Sequence, residues 1–319
     1  MGRYASNRNF GYGKQIAFAG KQALRDYYGQ GHHETVATHS QRWTQFSIWV
    51  KEEKGINNLS KTDNRELAQA YAEHVRERVE AGELSISTAQ NHISTVNTTF
   101  SALRSDKYVN MSPSEHVGNR SNIRQAAPAG LNQDRVTASA AALREAGLHR
   151  AAAVLMLANA FGVRREEAIK ANLDRWSREA RNGAVNVIDG TKGGRDAERR
   201  IQVGEVQKQA LKHAMSIRPA GSRNLIASRE SYSQLAIQRS GEINQSRAVL
   251  KQHGLPGYHD LRAAFACQRY EQITGSPAPV VDGGRQISKA QDRKARSIIS
   301  GELGHGRLDV LNSYIGSSR

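Results

Sequence analysis

Residues 303–316 read LGHGRLDVLNSYIG, which places a histidine, His305, nine positions before a tyrosine, Tyr314. In one unbroken helix nine residues make about two and a half turns, so the two side chains would lie on opposite faces. They meet at one site only if the chain bends between them, and Gly306 permits such a bend. A tyrosine beside a histidine suggests a nucleophile with a polar partner, although each residue alone is more often part of ordinary packing.

The overall charge of the chain points to a polyanionic partner. The 319 residues contain 46 Lys+Arg against 30 Asp+Glu, a formal net charge of +16. This excess favours nucleic acid, because lysine and arginine neutralise phosphates and release their counterions. A membrane surface is the rival anion, but no segment combines a lysine-rich face with a strongly apolar one.

Composition also excludes several classes of protein. Cys267 is the single cysteine, and no HExxH or His/Cys metal-ligand spacing occurs, so we expect no disulfide, metal or cofactor. No apolar run has the length of a signal peptide or a transmembrane helix, which predicts a cytoplasmic, nucleoid-associated protein.

The N-terminal part of the chain divides into two predicted segments. Residues 1–31 interleave aromatic and basic side chains with glycines, which predicts an arm on DNA phosphates; a disordered tail fits the same composition. Residues 32–110 show three stretches of helical periodicity and predict an all-helical DNA-binding domain. The third helix carries serines, threonines and amides of a kind that can lie in a DNA groove or form plain surface.

The remaining chain predicts a linker and a second domain. Residues 111–130 are rich in Ser, Asn, Gly and Pro and have the character of a linker. Residues 131–319 predict a mostly helical domain with a small antiparallel β-sheet, whose hairpin joins 185–188 to 201–203 through Gly193 and Gly194. Helices are expected near 151–162, 206–216, 232–243, 259–271 and 288–303. The expected fold class is therefore mainly α.

Five short motifs of the second domain occur in a distinctive order. They are FGVRREEAI with Arg164, TKGGR with Lys192, YHDLRAAFA with His259 and Arg262, LGH with His305, and the late tyrosine Tyr314. An arginine after a Gly-Val turn, a hairpin lysine, HxxR, LGH and a tyrosine nine residues later resemble the motifs of the tyrosine recombinases, the phage integrase family. The resemblance covers about residues 32–319 in architecture and 160–316 in motifs.

The resemblance implies DNA strand cleavage and rejoining with Tyr314 as the nucleophile. The tyrosine would attack phosphorus and form a covalent 3′-phosphotyrosine, so rejoining needs no ATP. Arg164 and Arg262 would bind the non-bridging oxygens, because a guanidinium offers several fixed N–H donors to the charge that builds up in the transition state.

The resemblance also implies the roles of the other three residues. His259 would accept the phenol proton or donate a hydrogen bond to the phosphate. Lys192 would protonate the departing 5′-oxygen, and His305 would hydrogen-bond a non-bridging oxygen. No metal or cofactor is required.

Several of these residues have rivals in the sequence. Arg165 competes with Arg164, and either arginine can simply pair with Glu166 or Glu167; the Arg-x-x-Glu pattern favours Arg164. Lys192 has three basic neighbours that could take its place, Arg195, Arg199 and Arg200. Tyr258 and Tyr270 are the nearest rivals of Tyr314.

Two features depart from the family pattern. Between Arg262 and His305 lie 42 residues, more than is common, and the excess falls in 275–294. This insertion is either an inert surface loop or a contact to DNA or a neighbouring subunit. Only five residues follow Tyr314, so contacts between protomers are expected to be small, or to come from the helix of Tyr314 or from the insertion.

The sequence thus predicts a site-specific recombinase or integrase of a mobile element. The expected partners are double-stranded DNA with specific sites and further copies in a homotetramer on two sites, with an accessory DNA-bending or directionality factor as a further possibility. Two alternatives are a type IB topoisomerase, which would relax plasmids lacking any target site, and a non-catalytic DNA-binding relative, which would form no covalent adduct.

Overall fold

The protein is mainly helical with one two-stranded antiparallel sheet, which confirms the predicted fold class. The computed structural model describes residues 7–191 and 198–318. Within these residues no helix is long and apolar enough to cross a membrane. The chain divides into two compact units, Met1–Ser121 and Asn122–Arg319, and the division falls inside the predicted linker.

The described residues of the first unit form five α-helices. They are α1 (Ile16–Tyr28), α2 (His33–Lys54), α3 (Asn64–Glu80), α4 (Ile86–Arg104) and α5 (Pro113–Val117). Helix α4 contacts each of the other four. The centre of the core is aromatic, with Trp43, Phe46 and Phe100 fully buried and in mutual ring contact. Since α5 packs on α3 and α4, the first part of the predicted linker belongs to this unit.

Within the described residues of the predicted arm, 7–31, the structure has a packed helix. Helix α1 packs on α2 and α4, and the indole N–H of Trp43 donates to the carbonyl oxygen of Ile16 at 2.9 Å. Gly20, one of the glycines of the predicted arm, lies inside α1 where a Cβ atom would overlap the Trp43 ring. The glycine therefore serves the close approach of two elements and does not end the helix.

The polar face predicted on the third helix is also largely buried. Gln90, His92, Thr95 and Thr99 of α4 are at most 9% exposed. The ring of His92 hydrogen-bonds the Tyr71 hydroxyl at 3.1 Å, and the amide of Gln90 donates to a backbone carbonyl of the chain after α5. These side chains serve the interior of the unit, so the groove-facing interpretation of this face is wrong for them.

The second unit contains eleven helices and the small sheet among its described residues. Its elements are α6 (Gln133–Glu145), α7 (His149–Phe161), α8 (Arg165–Lys170), α9 (Leu173–Arg181), β1 (Ala184–Asn186), β2 (Arg200–Gln202), α10 (Glu205–Ser216), α11 (Tyr232–Ala236), α12 (Glu242–Gln252), α13 (Tyr258–Thr274), α14 (Pro279–Asp282), α15 (Lys289–Glu302) and α16 (Asn312–Ile315). Val185 pairs with Ile201 across the antiparallel sheet. The predicted turn at Gly193 and Gly194 lies outside the described residues.

Two helices, α7 and α13, form the centre of this unit. From Ala151 onward helix α7 is apolar except for Asn159 and buried except for Met156, and it packs against α6, α8, α10, α12 and α13. Helix α13 contacts α7 on one side and α15 and α16 on another. The histidine and the arginine of the HxxR motif, His259 and Arg262, are thereby held on a rigid element between the first motif and the last.

One predicted helix is divided in two. The stretch 232–243 forms α11, turns at 237–241, and continues as α12 to Gln252. At the turn Gly241 lies so close to the carbonyls of Gln234 and Leu235 that a Cβ atom would overlap them. Helical periodicity alone does not show such a close backbone approach.

Candidate active site

Tyr314 lies on the four-residue helix α16 and is only 4% exposed. The ring centroids of His259 and His305 each lie 5.4 Å from the centroid of its ring. The Nε of Arg262 lies 3.4 Å from the phenol oxygen, at the long end of hydrogen-bond distances. Three residues predicted from two motifs, His259 and Arg262 of HxxR and His305 of LGH, therefore surround the predicted nucleophile.

The bend between His305 and Tyr314 is present, but it occurs at a different glycine. Helix α15 ends at Glu302, Gly304 adopts a φ of +64°, and a 3-10 turn at Asp309–Leu311 leads into α16. Gly306, the residue named from sequence, has no positive φ. At Gly304 a Cβ atom would lie 2.5 Å from the Cδ of Arg199, so the close approach of this arginine as well as the backbone conformation requires glycine.

The guanidinium of Arg262 is fully buried and organises the site. Its Nη1 donates to the carbonyl oxygen of Gly162 at 2.6 Å, and its Nη2 donates to the carbonyl oxygen of Leu303. These bonds join the chain after α7 to the chain after α15. Burial and the nearby Arg164 lower the pKa of Arg262 to about 10, which leaves it charged at neutral pH.

Arg262 also fixes the tautomer of His305. Its Nη2 lies 3.2 Å from the Nε2 of His305. Because a guanidinium only donates, this imidazole nitrogen must be the acceptor and carries no proton. Burial and the charges of Arg262 and Arg164 lower the pKa of His305 to about 4, in agreement with a neutral ring.

His259 is the more solvent-accessible of the two histidines. Partial desolvation of its ring, with the charges of Arg262 and Arg124, lowers its pKa. The ring is tilted at 53° to the ring of Tyr314, and the described contacts include no hydrogen bond between the two. Both imidazoles are therefore neutral at neutral pH.

Arg164 precedes α8 and reaches the site through Glu167. The backbone N–H of Arg164 donates to Oε2 of Glu167 at 2.7 Å, and its Nη1 donates to Oε1 at 2.6 Å. The neighbouring Arg165 instead donates to the hydroxyl of Tyr232 at 3.2 Å. Of the two arginines, Arg164 is thus the one placed beside Arg262, and it also forms the pair with Glu167 that the sequence offered as its alternative role.

Glu167 is the one carboxylate that is shared by the arginines of this site. It is completely buried, accepts from Arg199 Nη1 at 2.8 Å, and lies 3.8 Å from Arg262 Nη1. Although burial opposes ionisation, the charges of Arg199 and Arg262 keep the pKa of Glu167 below its ordinary value. One negative charge therefore faces three guanidiniums, and the site keeps an excess of positive charge.

Arg199 also belongs to the site, although the sequence alone did not indicate it. It was named only as a rival of Lys192, yet it is 2% exposed and lies against Glu167, Gly304 and the carbonyl oxygen of Glu302. Its Nη2 has no hydrogen-bond partner within residues 7–191 and 198–318. The only sequence signal was its position just before β2.

The hairpin lysine cannot be placed in the same way. Lys192 and its rival Arg195 lie outside the described residues, so the assignment of Lys192 stays a prediction. Arg200, the third rival, is exposed and pairs with Glu198 at 3.9 Å. The described geometry thus brings together Arg164, His259, Arg262, His305 and Tyr314.

The chain matches a family model described as an integrase over residues 120–268. A lambda integrase dimer bound to a COC' core site has a similar fold, with 16% identity, a TM-score of 0.56, and coverage of 93% of this chain and 95% of the other. The integrase of transposon Tn1549, in complex with circular intermediate DNA, has 14% identity, a TM-score of 0.56, and coverage of 95% of each chain. The family match and these similar folds bear out the resemblance to the tyrosine recombinases.

A third structural neighbour of this chain is a lambda integrase tetramer bound to a Holliday junction. It has 16% identity and a TM-score of 0.54, and the match covers 93% of this chain and 76% of the other. No curated protein sequence matches this chain. The family-model match contains Arg164, His259 and Arg262 but ends before the insertion, so the roles of His305 and Tyr314 stay predictions that rest on the motifs and the geometry.

Proposed function

We propose that this tyrosine recombinase cleaves and rejoins DNA at specific sites through a covalent bond between Tyr314 and the 3′-phosphate. The observation that carries the proposal is the position of Tyr314: its hydroxyl lies 3.4 Å from Arg262 Nε, and its ring centroid lies 5.4 Å from the centroid of each of two neutral imidazoles. The phenol is thus held beside a cation that can stabilise a phenolate and beside bases that can accept its proton.

The arginines supply the electrostatic part of the reaction. When Tyr314 attacks, the bond from Oη to phosphorus forms and the bond from phosphorus to the 5′-oxygen breaks. Negative charge increases on the non-bridging oxygens, which Arg164 and Arg262 bind through their N–H donors. Glu167 neutralises only one of the three positive charges of Arg164, Arg199 and Arg262. A phosphate that binds to these arginines supplies further negative charge.

The bound phosphate must replace contacts that Arg262 makes in the DNA-free protein. Its Nε faces Tyr314 and one N–H of Nη2 faces His305, whereas the bonds to Gly162 and Leu303 hold the guanidinium in place. The N–H groups that face Tyr314 and His305 can bind the phosphate while the bonds to Gly162 and Leu303 stay intact. His305, released from Arg262, then hydrogen-bonds a non-bridging oxygen.

Proton transfer is assigned to His259 and Lys192. A neutral His259 accepts the phenol proton or orients the phosphate, and the negative phosphate raises the pKa of both histidines toward a useful range. Lys192 delivers the proton to the departing 5′-oxygen. The reverse of these steps rejoins the strands, and the phosphotyrosine conserves the bond energy without ATP.

The proposed partners are double-stranded DNA with specific sites and further copies of the chain. The net charge of +16 supports DNA binding. The lambda integrase tetramer on a Holliday junction supports a homotetramer on two sites as the active assembly. We further propose that the recombinase integrates or excises a mobile element, in which case an accessory DNA-bending or directionality factor can set the direction.

A nicked duplex that carries the element's end sequence tests the proposal. Cleavage next to the nick releases a short strand, so the covalent adduct accumulates and is seen as a band that resists denaturation. We expect the wild-type protein to form it and Tyr314→Phe not to. An equal adduct yield from Tyr314→Phe would overturn the assignment, and relaxation of a plasmid that lacks the site would favour a topoisomerase.

A further inference from the structure

Arg296, on α15, holds the short segment that carries Tyr314 from both sides. Its guanidinium is 4% exposed. Nη1 donates to the side-chain oxygen of Asn312 at 3.1 Å, and Nη2 donates to the carbonyl oxygen of Gly316 at 3.1 Å. The two acceptors lie two residues before and two residues after Tyr314. One rigid, planar group therefore fixes both ends of α16.

The guanidinium is itself held in place by a buried network. Its Nε lies 3.0 and 2.9 Å from the two oxygens of Asp292, one helical turn earlier on α15. The hydroxyl of Tyr270, from α13, donates to the same carboxylate at 2.8 Å. Asp292 and Tyr270 are 2% and 1% exposed. Because all three partners are buried, the network is shielded from water and its geometry is strictly limited.

The insertion contacts the same C-terminal segment. A Cβ atom at Gly316, which has a φ of +83°, would lie 2.8 Å from the backbone nitrogen of Val280 in α14. Arg285, in the turn after α14, donates from Nε to the carbonyl oxygen of Ser318 at 3.0 Å. Residues 275–294 are therefore not an inert surface loop, because they pack against the chain that follows the nucleophile.

A four-residue helix cannot hold a catalytic side chain by itself. Isolated short helices are unstable in water, so the position of α16 depends on contacts with its surroundings. A misplacement of about 1 Å in a reacting group can reduce a rate on the order of 10²-fold. The contacts of Arg296 are charged hydrogen bonds to the residues on either side of Tyr314, and Asp292 fixes their direction.

From these contacts we infer that Arg296 is a positioning residue for Tyr314, and that Asp292, Tyr270 and the insertion support it in that role. The inference rests on the proposed function of Tyr314. Arg296 does not touch the phosphate-binding arginines in the described contacts, so its loss displaces the nucleophile and leaves activation of the phosphate intact. A purely structural residue would reduce both.

This difference can be measured with an external nucleophile. The nicked duplex is incubated with saturating protein, and adduct formation is followed in a single turnover. In parallel, hydrogen peroxide is added to Tyr314→Phe, so that a small nucleophile attacks the activated phosphate in place of the phenol. Arg296→Ala, Arg296→Lys and Tyr270→Phe are compared with Arg293→Ala, which removes an exposed arginine from the same helix.

We expect the rate of adduct formation by Arg296→Ala to fall by about 100-fold, while its DNA affinity stays that of the wild type. Peroxide should cleave the DNA bound to Arg296→Ala at the same rate as the DNA bound to Tyr314→Phe. Arg296→Lys keeps the charge but cannot reach both acceptors, and Tyr270→Phe frees Asp292, so both should fall between Arg296→Ala and the wild type. Arg293→Ala should cleave normally.

Two results would overturn the inference: an unchanged adduct rate in Arg296→Ala, or a loss of peroxide nicking equal to the loss of adduct. If Arg296→Ala does not fold, as judged by its circular dichroism, the same comparison is made with Arg296→Lys and Tyr270→Phe, and wild-type rates in both would overturn it. Failure of the proposed function has a different signature, because Tyr314→Phe would then form the adduct without peroxide.

Discussion

The phenol oxygen of Tyr314 lies 3.4 Å from the Nε of Arg262, a guanidinium that has no exposure to solvent. In the structure this arginine faces the proposed nucleophile, and in the proposed reaction it faces the phosphate. The same donor group can therefore stabilise the phenolate before attack and the phosphorane during attack. Its anchoring to Gly162 and Leu303 keeps it in place through both steps.

Replacement of Arg262 should impair cleavage far more than DNA binding. Arg262→Lys keeps the charge but loses the planar set of donors, so we expect the single-turnover cleavage rate to fall by about 10²- to 10³-fold. DNA affinity, measured by gel shift at fixed salt, should change little because many other cations contact phosphates. Parallel losses in rate and affinity would contradict the placement of Arg262 at the scissile phosphate.

Removal of the Glu167 charge should destabilise the protein. Glu167→Gln leaves Arg164, Arg199 and Arg262 without their shared carboxylate, and breaking a buried ion pair typically costs about 3–5 kcal/mol of unfolding free energy. Urea unfolding measures this loss. Glu166→Gln is the matched control, since the Glu166 side chain is 38% exposed and pairs with Lys170 at the surface. Similar small effects in both variants would contradict the central role of Glu167.

The stability of the protein should decrease at mildly acidic pH because of His305. Its pKa is lowered from an ordinary value of 6.5 to about 4, so the unfolded chain takes up a proton before the folded chain does. The stability due to the neutral ring is complete above pH 6.5 and is lost as the pH falls from 6.5 through 4. We expect His305→Asn to show a smaller decrease in Tm between pH 7.5 and 5 than the wild type.

His33→Asn, an exposed histidine in the first unit, serves as the control for that comparison and should follow the wild type. An identical pH dependence for wild type and His305→Asn would mean that the imidazole titrates alike in the folded and unfolded chains.

The two glycines of the LGHG motif should differ in their tolerance of alanine. Gly304→Ala places a side chain at a φ of +64° and 2.5 Å from Arg199, so it should reduce both Tm and cleavage. At Gly306 no atom lies within 4 Å of a Cβ, and Gly306→Ala should retain activity. Measurement of Tm and adduct yield for both variants checks this order, and the reverse order would show that the bend lies at Gly306.

The helices and the motifs that they carry could be predicted from sequence because both depend on local patterns. Helical periodicity marked α2, α3 and α4, and the motif order led to the recombinase family and the mainly α fold, both of which are confirmed. The division of the chain near residue 121 also fell where composition changed. The assignments at the site are supported by geometry and stay predictions.

The features that sequence did not predict depend on contacts between distant residues. Gly20 is a helix residue because Trp43 packs on it, and Arg199 belongs to the site because of Glu167, 32 residues earlier, and Glu302, 103 residues later. The insertion is structural because Val280 meets Gly316. From sequence alone Gly20 belongs to an arm, Arg199 is a rival of Lys192, and the insertion is a loop or a contact segment. None of the contacts that decide their roles leaves a periodic signal in the sequence.

Identification of the tyrosine that becomes linked to DNA tests the account most directly. The adduct is digested with trypsin and nuclease, and the modified peptide is sequenced by mass spectrometry. Cleavage after arginine and lysine places the three rival tyrosines in separate peptides: Tyr314 in 308–319, Tyr258 in 252–262 and Tyr270 in 270–285. We predict that the nucleotide is attached to the peptide 308–319, at Tyr314. Attachment to the peptide of Tyr258 or Tyr270 would contradict the account.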